Sequence, residues 1–226
     1  MIPWVHLGTA KVPGSGGELR LMRRGAEFSI MSGAIELMNS RVSGSEQALA
    51  DLACRRLEDC PCARLLIGGF GMGFTLRAAL GGLGPQAQVV VGELVPEVLT
   101  WARGPMAHMS AACLEDPRVS VREGDVSTLI ATAKSAYDAI LLDVDNGPEG
   151  LSRRENDRLY NRAGLAAARE ALRPGGVLAV WSGAPSARFS QRLRDAGFAV
   201  EEVGVRANRG RGARHVIWLG TAPGSR

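Results

Sequence analysis

Leu65 to Leu80 reads Leu-Leu-Ile-Gly-Gly-Phe-Gly-Met-Gly-Phe-Thr-Leu-Arg-Ala-Ala-Leu, an apolar run that passes through a glycine-rich turn into a helical pattern. Backbone approaches a ligand closely only where side chains are absent, and the helix N-terminus just beyond offers unpaired N–H groups to an anionic or polar group. Such a stretch cradles a nucleotide, and its spacing narrows which one. A dinucleotide fingerprint needs glycines at relative positions 1, 3 and 6, whereas counting from Gly69 puts Gly71 at 3, Gly73 at 5 and Phe74 at 6. The third glycine is misplaced for NAD. Glu93 follows 24 residues after Gly69, at the end of an apolar run containing Val89, Val90 and Val91. A carboxylate there can accept hydrogen bonds from both ribose hydroxyls; the competing reading is a strand-end surface charge. Asp125, after Gly124, can accept from an adenine amine, cap the following helix, or do both. Leu94 and Val126, beside these two acids, complete the expected nucleoside contacts.

The elements that must position these residues are legible in the hydrophobic pattern. Segments Glu18 to Arg23, Glu27 to Met31 and Ala34 to Met38 alternate and are separated by turn residues, so residues 1–42 are expected to form a small antiparallel β-region. Ser45 to Leu57 has helical spacing and leads into residues 43–226, expected to be the nucleotide-binding domain. Strands are expected at Leu65 to Gly69, Gln88 to Leu94, Val119 to Glu123, Ala139 to Asp143 and Val177 to Ser182, with helices between them. That alternation predicts an α/β fold with a mostly parallel sheet covered on both faces. The longest helix is expected to begin near Ser152, with Ser152 and Glu155 as a capping box, and to stop at Arg173-Pro174-Gly175-Gly176. Phe198 to Val205 and His215 to Gly220 are close enough in sequence to form a final antiparallel hairpin.

Composition bounds the rest. The 226 residues fit one domain with a small appendage, and 46% hydrophobic and 22% charged residues are ordinary for a soluble globular chain. No apolar run approaches the roughly 20 residues that span a bilayer, and Met1 to Gly17 lacks a secretory pattern, so the expected compartment is the cytoplasm. The four cysteines then read as reduced thiols, and Cys60-Pro61-Cys62 lacks the spacing of a zinc knuckle. The net charge of +4 is mild and almost all arginine. Its one concentration, Arg206, Arg209, Arg211 and Arg214, reads as a solvated hairpin loop; without interleaved aromatic residues a nucleic-acid contact is not expected. His6, His108 and His215 show no ligand spacing, and His215 beside Val216 and Ile217 reads as a strand residue.

Gly-x-Gly-x-Gly after a first strand resembles motif I of the class I S-adenosylmethionine-dependent methyltransferases. Further features extend that likeness to one family: Ile67-Gly68-Gly69, Glu93-Leu94-Val95-Pro96-Glu97-Val98, Asp116-Pro117-Arg118-Val119 with Gly124-Asp125, Tyr137 to Asp143, and Leu172-Arg173-Pro174-Gly175-Gly176. Together, over roughly Arg64 to Ser182, these resemble the spermidine synthase family. The resemblance implies a Rossmann-like class I methyltransferase sheet with an antiparallel last strand, a small-molecule acceptor and, together with the exposed strand edges of the β-region, a possible homodimer; the lack of a long apolar run means no membrane partner is expected.

Departures from the family pattern shape the expected function. Aminopropyltransferases carry an aspartate in the glycine loop that helps bind the propylamine end of decarboxylated S-adenosylmethionine, whereas this chain has Phe70-Gly71-Met72-Gly73. After the fourth strand the family has two aspartates separated by two residues, but here the run is Asp143-Val144-Asp145-Asn146-Gly147-Pro148. The family's histidine-containing acidic motif on the preceding helix is replaced by Ser45-Glu46-Gln47. The expectation is therefore an S-adenosylmethionine-dependent methyltransferase acting on an unidentified small molecule. The alternatives are a polyamine aminopropyltransferase using decarboxylated S-adenosylmethionine, or a non-catalytic nucleotide-binding protein.

Within that resemblance Asp143 is the leading catalytic candidate, next to where the sulfonium should lie, with Asp145 beside it. Asp143 could also orient the donor. Asn146, Glu149 and Tyr160 are expected at the acceptor, with Trp181 a further lining candidate; loop capping and helix or core packing are the competing readings. Asp143-x-Asp145 also resembles the metal pair of catechol-type methyltransferases. Those supply a further Asp-Asn pair at the end of the fifth strand, where this chain has Trp181-Ser182-Gly183, so no metal is expected.

Overall fold

The structure is a computed structural model that describes residues 2–14, 17–144, 147–148, 157–208 and 211–224. The N-terminal region is a four-stranded antiparallel sheet in the order β1 (Val5–Lys11), β2 (Glu18–Arg24), β3 (Glu27–Ser32), β4 (Ile35–Asn39). Three of these strands match the alternating segments of the sequence. The first was not expected, because it is an edge strand whose Val5 and Leu7 are 50% and 37% exposed and whose register shifts between His6 and Gly8. Half-solvated, interrupted strands carry little periodic signal.

The remainder alternates as the pattern implies: α1 (Gly44–Arg55), β5 (Arg64–Gly68), α2 (Phe74–Gly82), β6 (Gln88–Glu93), α3 (Pro96–Arg103), α4 (Ala107–Leu114), β7 (Val119–Glu123), α5 (Val126–Thr132) and β8 (Tyr137–Leu142). Then follow α6 (Asp157–Tyr160), α7 (Arg162–Ala171), β9 (Leu172–Ser182), α8 (Ala187–Asp195), β10 (Ala199–Asn208) and β11 (Arg211–Thr221). The seven-stranded sheet runs β10-β11-β9-β8-β5-β6-β7. Strands β5 to β9 are mutually parallel, while β11 inserts antiparallel between β9 and β10. This is the expected Rossmann-like sheet with its antiparallel end.

Burial on both faces explains why the central strands are continuous apolar runs. Successive side chains of a strand point to opposite faces. Leu65, Ile67, Val89, Val91, Ala139 and Leu141 accordingly join one core layer, while Leu66, Ile140, Leu142, Leu178 and Val180 join the other. Each fully buried Leu, Ile or Val contributes about 1.5–3 kcal/mol, so slipping any central strand by one residue exchanges two already filled layers. The first layer also holds Leu21, Phe28 and Ile30, which docks the N-terminal sheet against α3 through Val98 and Trp101.

Three expectations need correction. The single long helix before β9 is two helices, because Asn161 adopts extended backbone and its side chain accepts from Gly164 N at 3.0 Å, starting α7 afresh. The capping box at Ser152 and Glu155 lies outside the described residues. Arg173 to Gly176 does not merely end a helix; it is the opening of β9, with Pro174 and Gly175 exposed at an irregular register opposite Tyr137 and Ala139. In the hairpin, Arg206 and Arg214 are paired strand residues and Arg211 begins β11, so the strands run further than expected; Arg209 lies outside the described residues. No helix among the described residues is long and apolar enough to cross a membrane.

Candidate functional site

The glycine turn joins the C-terminal end of β5 to α2, where β6 and β8 end beside it. Gly69 N donates to Gly92 O at 2.8 Å and Asp143 N donates to Gly68 O at 3.0 Å, so three strand ends are tied at one level. Gly69 has φ +86°, and a Cβ there would lie 2.5 Å from the carbonyl oxygen of Asp143; at Gly71, φ +55°, it would lie 2.5 Å from Cε of Met38. Only glycine leaves this floor open. Above it is a cavity of about 260 Å³, walled on one side by the strand ends and on the other by Leu19, Ile30, Leu37 and Met38 of the N-terminal sheet. Gly73 does not line the cavity; it is the N-cap residue of α2, facing the Phe70 ring and Cys113.

Glu93 closes the end of β6. Its Oε2 accepts from Phe70 N at 2.9 Å and its Oε1 from Val95 N at 2.9 Å, so one buried carboxylate braces both the glycine turn and the start of α3. Burial raises its pKa, and the backbone N–H groups of Val95, Phe70, Gly71 and Leu94 pull in the opposite direction. Leu94 and Val126 line the cavity beside it. Asp125 lines the cavity and also caps α5, accepting from Ser127 N at 2.8 Å, while its other oxygen pairs with Arg158 of α6.

Asp143 lies just past the end of β8 and lines the cavity. Thr75, in the first turn of α2, donates from Oγ1 to its Oδ2 at 2.6 Å. The Asp143 pKa is pushed up to about 7, chiefly by burial and then by the charge of Glu46, with the Thr75 hydrogen bond acting against both. Glu46 is in the first turn of α1, where the buried Ser45 hydroxyl donates to its Oε2 at 2.7 Å. Its charge also acts on His215 of β11, whose pKa burial lowers. The His215 ring lies against Trp181 of β9 with centroids 4.9 Å apart.

Of the expected residues, the structure brings Gly69, Gly71, Glu93, Leu94, Asp125, Val126 and Asp143 to one cavity. Tyr160, expected at the acceptor, is instead fully buried in the opposite core layer, edge-on to Phe189 at 5.7 Å, because α6 turns its apolar side onto the sheet. Asp145, Asn146 and Glu149 lie outside the described residues. Glu46, Thr75 and His215 were missed. Thr75 carried a signal, a lone hydroxyl at the helix start among apolar neighbours; Glu46 registered only as a departure from a motif, and His215 only as a strand residue.

With this geometry in view, the spermine/spermidine synthase domain family matches residues 61–189. A polyamine aminopropyltransferase of Mycobacterium tuberculosis is 32% identical over 145 residues, 60% of this chain and 27% of that protein. A polyamine aminopropyltransferase of Nitrosomonas europaea is 34% identical over 116 residues, 48% of this chain and 34% of that protein. The chain thus spans about a quarter to a third of the length of these curated relatives. The crystal structure of spermidine synthase from Thermotoga maritima superposes with a TM-score of 0.73 over 96% of this chain and 72% of that chain, at 14% identity, a likeness of fold. These relatives correct the expectation of methyl transfer from S-adenosylmethionine to an unidentified small molecule, since they are named for aminopropyl transfer. That expectation gave the missing glycine-loop aspartate more weight than the surrounding family pattern.

Proposed function

The chain belongs to the spermine/spermidine synthase domain family, and on that premise we propose that it transfers an aminopropyl group from decarboxylated S-adenosylmethionine to a small amine. The observation that carries this reading is the charge of the cavity. Glu93, Asp125 and Asp143 line it, and among the described residues no lysine or arginine does. A donor bearing its own carboxylate would bring a further anion into a cavity whose charged lining is acidic and whose neighbouring Arg158 is already paired with Asp125, whereas the decarboxylated donor presents only a sulfonium and an ammonium.

The residues present fit this donor. The glycine floor, where a Cβ would collide with Asp143 and Met38, admits the nucleoside closely. Glu93 is assigned to the ribose hydroxyls and Asp125 to the adenine amine, with Leu94, Val95 and Val98 supplying apolar contact to the base. When bound, the donor supplies an electrophilic carbon; as the N–C bond forms the C–S bond breaks, and its electron pair remains on sulfur as a neutral thioether.

Asp143 handles the proton. An aliphatic amine is an ammonium ion at neutral pH and has no lone pair until it loses a proton. A carboxylate with a pKa of about 7 is a base matched to that task. Thr75 holds Oδ2, which orients the carboxylate. The N-terminal sheet serves as the outer wall, since Ile30, Leu37 and Met38 line the cavity. Asp145, Asn146 and Glu149 are assigned to the acceptor by their position in sequence alone.

Calorimetric titration tests the reading at the binding step. The decarboxylated donor is expected to bind tighter than S-adenosylmethionine, with affinity lost in Glu93→Ala. Tighter binding of the carboxylated form would contradict it.

A further inference from the structure

The last two strands outrun the sheet they close. Val216 of β11 is opposite Ser182, the final residue of β9, and Arg211 to His215 lie beyond that point, paired among the described residues with β10 alone. At roughly 3.4 Å per residue this two-stranded ribbon reaches about 17 Å past the end of β9. Val216 and Trp218 belong to the core layer that α8 covers with Phe189 and Leu193. Side chains alternate along a strand, so Arg214 shares that face, as does Arg206, its direct cross-strand partner. Arg188, in the first turn of α8, is exposed on the same side.

The charge on this ribbon is uncompensated. Directly opposed residues have Cβ atoms about 5 Å apart, and like charges placed there are destabilising. Arg206 and Arg214 nevertheless face each other, with Arg211 at the end of the ribbon opposite Asn208. Among the described residues Arg188, Arg206, Arg211 and Arg214 are all exposed and none forms an ion pair. No aspartate or glutamate occurs anywhere after Glu202. The two acids of β10 are engaged elsewhere, Glu201 with Arg56 and Glu202 with Ser190 and Trp218. Arg206 Nη1 donates to Gly212 O at 3.1 Å, which holds that guanidinium across the ribbon.

We propose that the β10–β11 ribbon docks on the phosphate backbone of duplex nucleic acid, with Arg188, Arg206, Arg211 and Arg214 as the phosphate contacts. A guanidinium meets a phosphate through two parallel N–H bonds, and a two-stranded ribbon is narrow enough to enter a major groove. Composition selects the partner. From Arg206 to Arg214 the chain holds only arginine, alanine, asparagine and glycine. The missing aromatic rings argue against stacking on the bases of a single strand, but phosphate contact needs none. No large apolar side chain is present to enter a membrane interface or to form the buried centre of a protein interface. Docking is therefore electrostatic and without base readout. None of these arginines lines the cavity, so the proposal stands apart from the transfer reaction.

The test is fluorescence anisotropy of the full chain with labelled mixed-sequence duplexes of about 20 base pairs, one DNA and one RNA, over roughly 50–200 mM salt. For three or four phosphate contacts the logarithm of the wild-type association constant should fall against log[salt] with a slope of about −3. Arg206→Gln combined with Arg214→Gln is expected to weaken binding roughly 10- to 100-fold near 0.1 M salt and to flatten the slope by about two, and Arg211→Gln alone by about one. Arg103→Gln, on α3 beside β6 at the other side of the sheet, should change affinity by less than about twofold. Binding confined to DNA or to RNA would support the docking and identify the duplex. No binding by the wild type, an unchanged slope in the double variant, an equal loss in Arg103→Gln, or tighter binding to a single strand or to phosphatidylserine vesicles than to either duplex would each overturn it.

Discussion

Oγ1 of Thr75 donates to Oδ2 of Asp143 at 2.6 Å, tying the first turn of α2 to the end of β8. This bond favours the charged carboxylate, against burial and the Glu46 charge, which together lift the pKa to about 7. If Asp143 is the base, kcat/KM rises with pH through about 7 in the wild type. Thr75→Val removes the one opposing interaction and should move that limb upward. A limb in Thr75→Val at or below the wild-type position would show that this hydrogen bond does not tune the base.

Asp143→Asn should lower kcat by about 10²–10⁴-fold, the usual weight of a general base. Its stability should change in the other direction. The folded-state pKa of about 7 exceeds the unfolded value, so Asp143 contributes stability that is complete below about pH 4 and is lost as pH rises through about 7. Asparagine does not ionise and can still accept from Thr75. The variant should therefore melt about 2–4 °C higher than the wild type at pH 8, corresponding to about 1 kcal/mol, with no such gain at pH 4. Thermal melts at the two pH values check this.

Glu93→Gln should cost both binding and stability. The carboxylate accepts from Phe70 N and Val95 N, and a glutamine can offer a carbonyl to only one of these donors while its own NH₂ faces the other. A buried donor left unpaired costs about 1–3 kcal/mol, measurable by urea denaturation, and nucleoside affinity should fall at least about tenfold. A variant as stable as the wild type would mean that the glycine turn does not depend on this brace.

Gly69→Ala and Gly71→Ala separate two kinds of close approach. At Gly69 the new Cβ meets a backbone oxygen at 2.5 Å, whereas at Gly71 it meets the flexible end of Met38 at the same distance. Both positions have positive φ, which costs roughly 1 kcal/mol for alanine. Gly69→Ala should lose more stability than Gly71→Ala, and Gly71→Ala combined with Met38→Ala should recover part of its loss. Equal denaturation midpoints for the two single variants would contradict this.

How much could be read from the chain depended on whether a residue's role was local. Gly69, Glu93 and Asp125 were legible because a strand end followed by a helix start fixes where they point. The core strands were legible because two buried faces demand continuous apolar runs such as Leu65 to Ile67. Glu46 was not, since its influence on Asp143 needs α1 folded onto the end of β8 across nearly 100 residues of chain. Tyr160 misled because a polar hydroxyl on a helix suggested a pocket, while the ring's apolar bulk placed it against Phe189. The expectation of a methyl donor came from a different cause: one absent aspartate in the glycine loop was given more weight than Glu93, Asp125 and Asp143, which were all legible as acids of one site.

Amine-dependent release of methylthioadenosine measures most directly what the cavity transfers. The protein would be incubated with decarboxylated S-adenosylmethionine and a panel of primary diamines, with Asp143→Asn as the control. Methylthioadenosine is expected to appear only when an amine is present, and Asp143→Asn should abolish nearly all of it. Donor binding with no amine-dependent release across the panel, or methyl transfer from S-adenosylmethionine in its place, would contradict aminopropyl transfer.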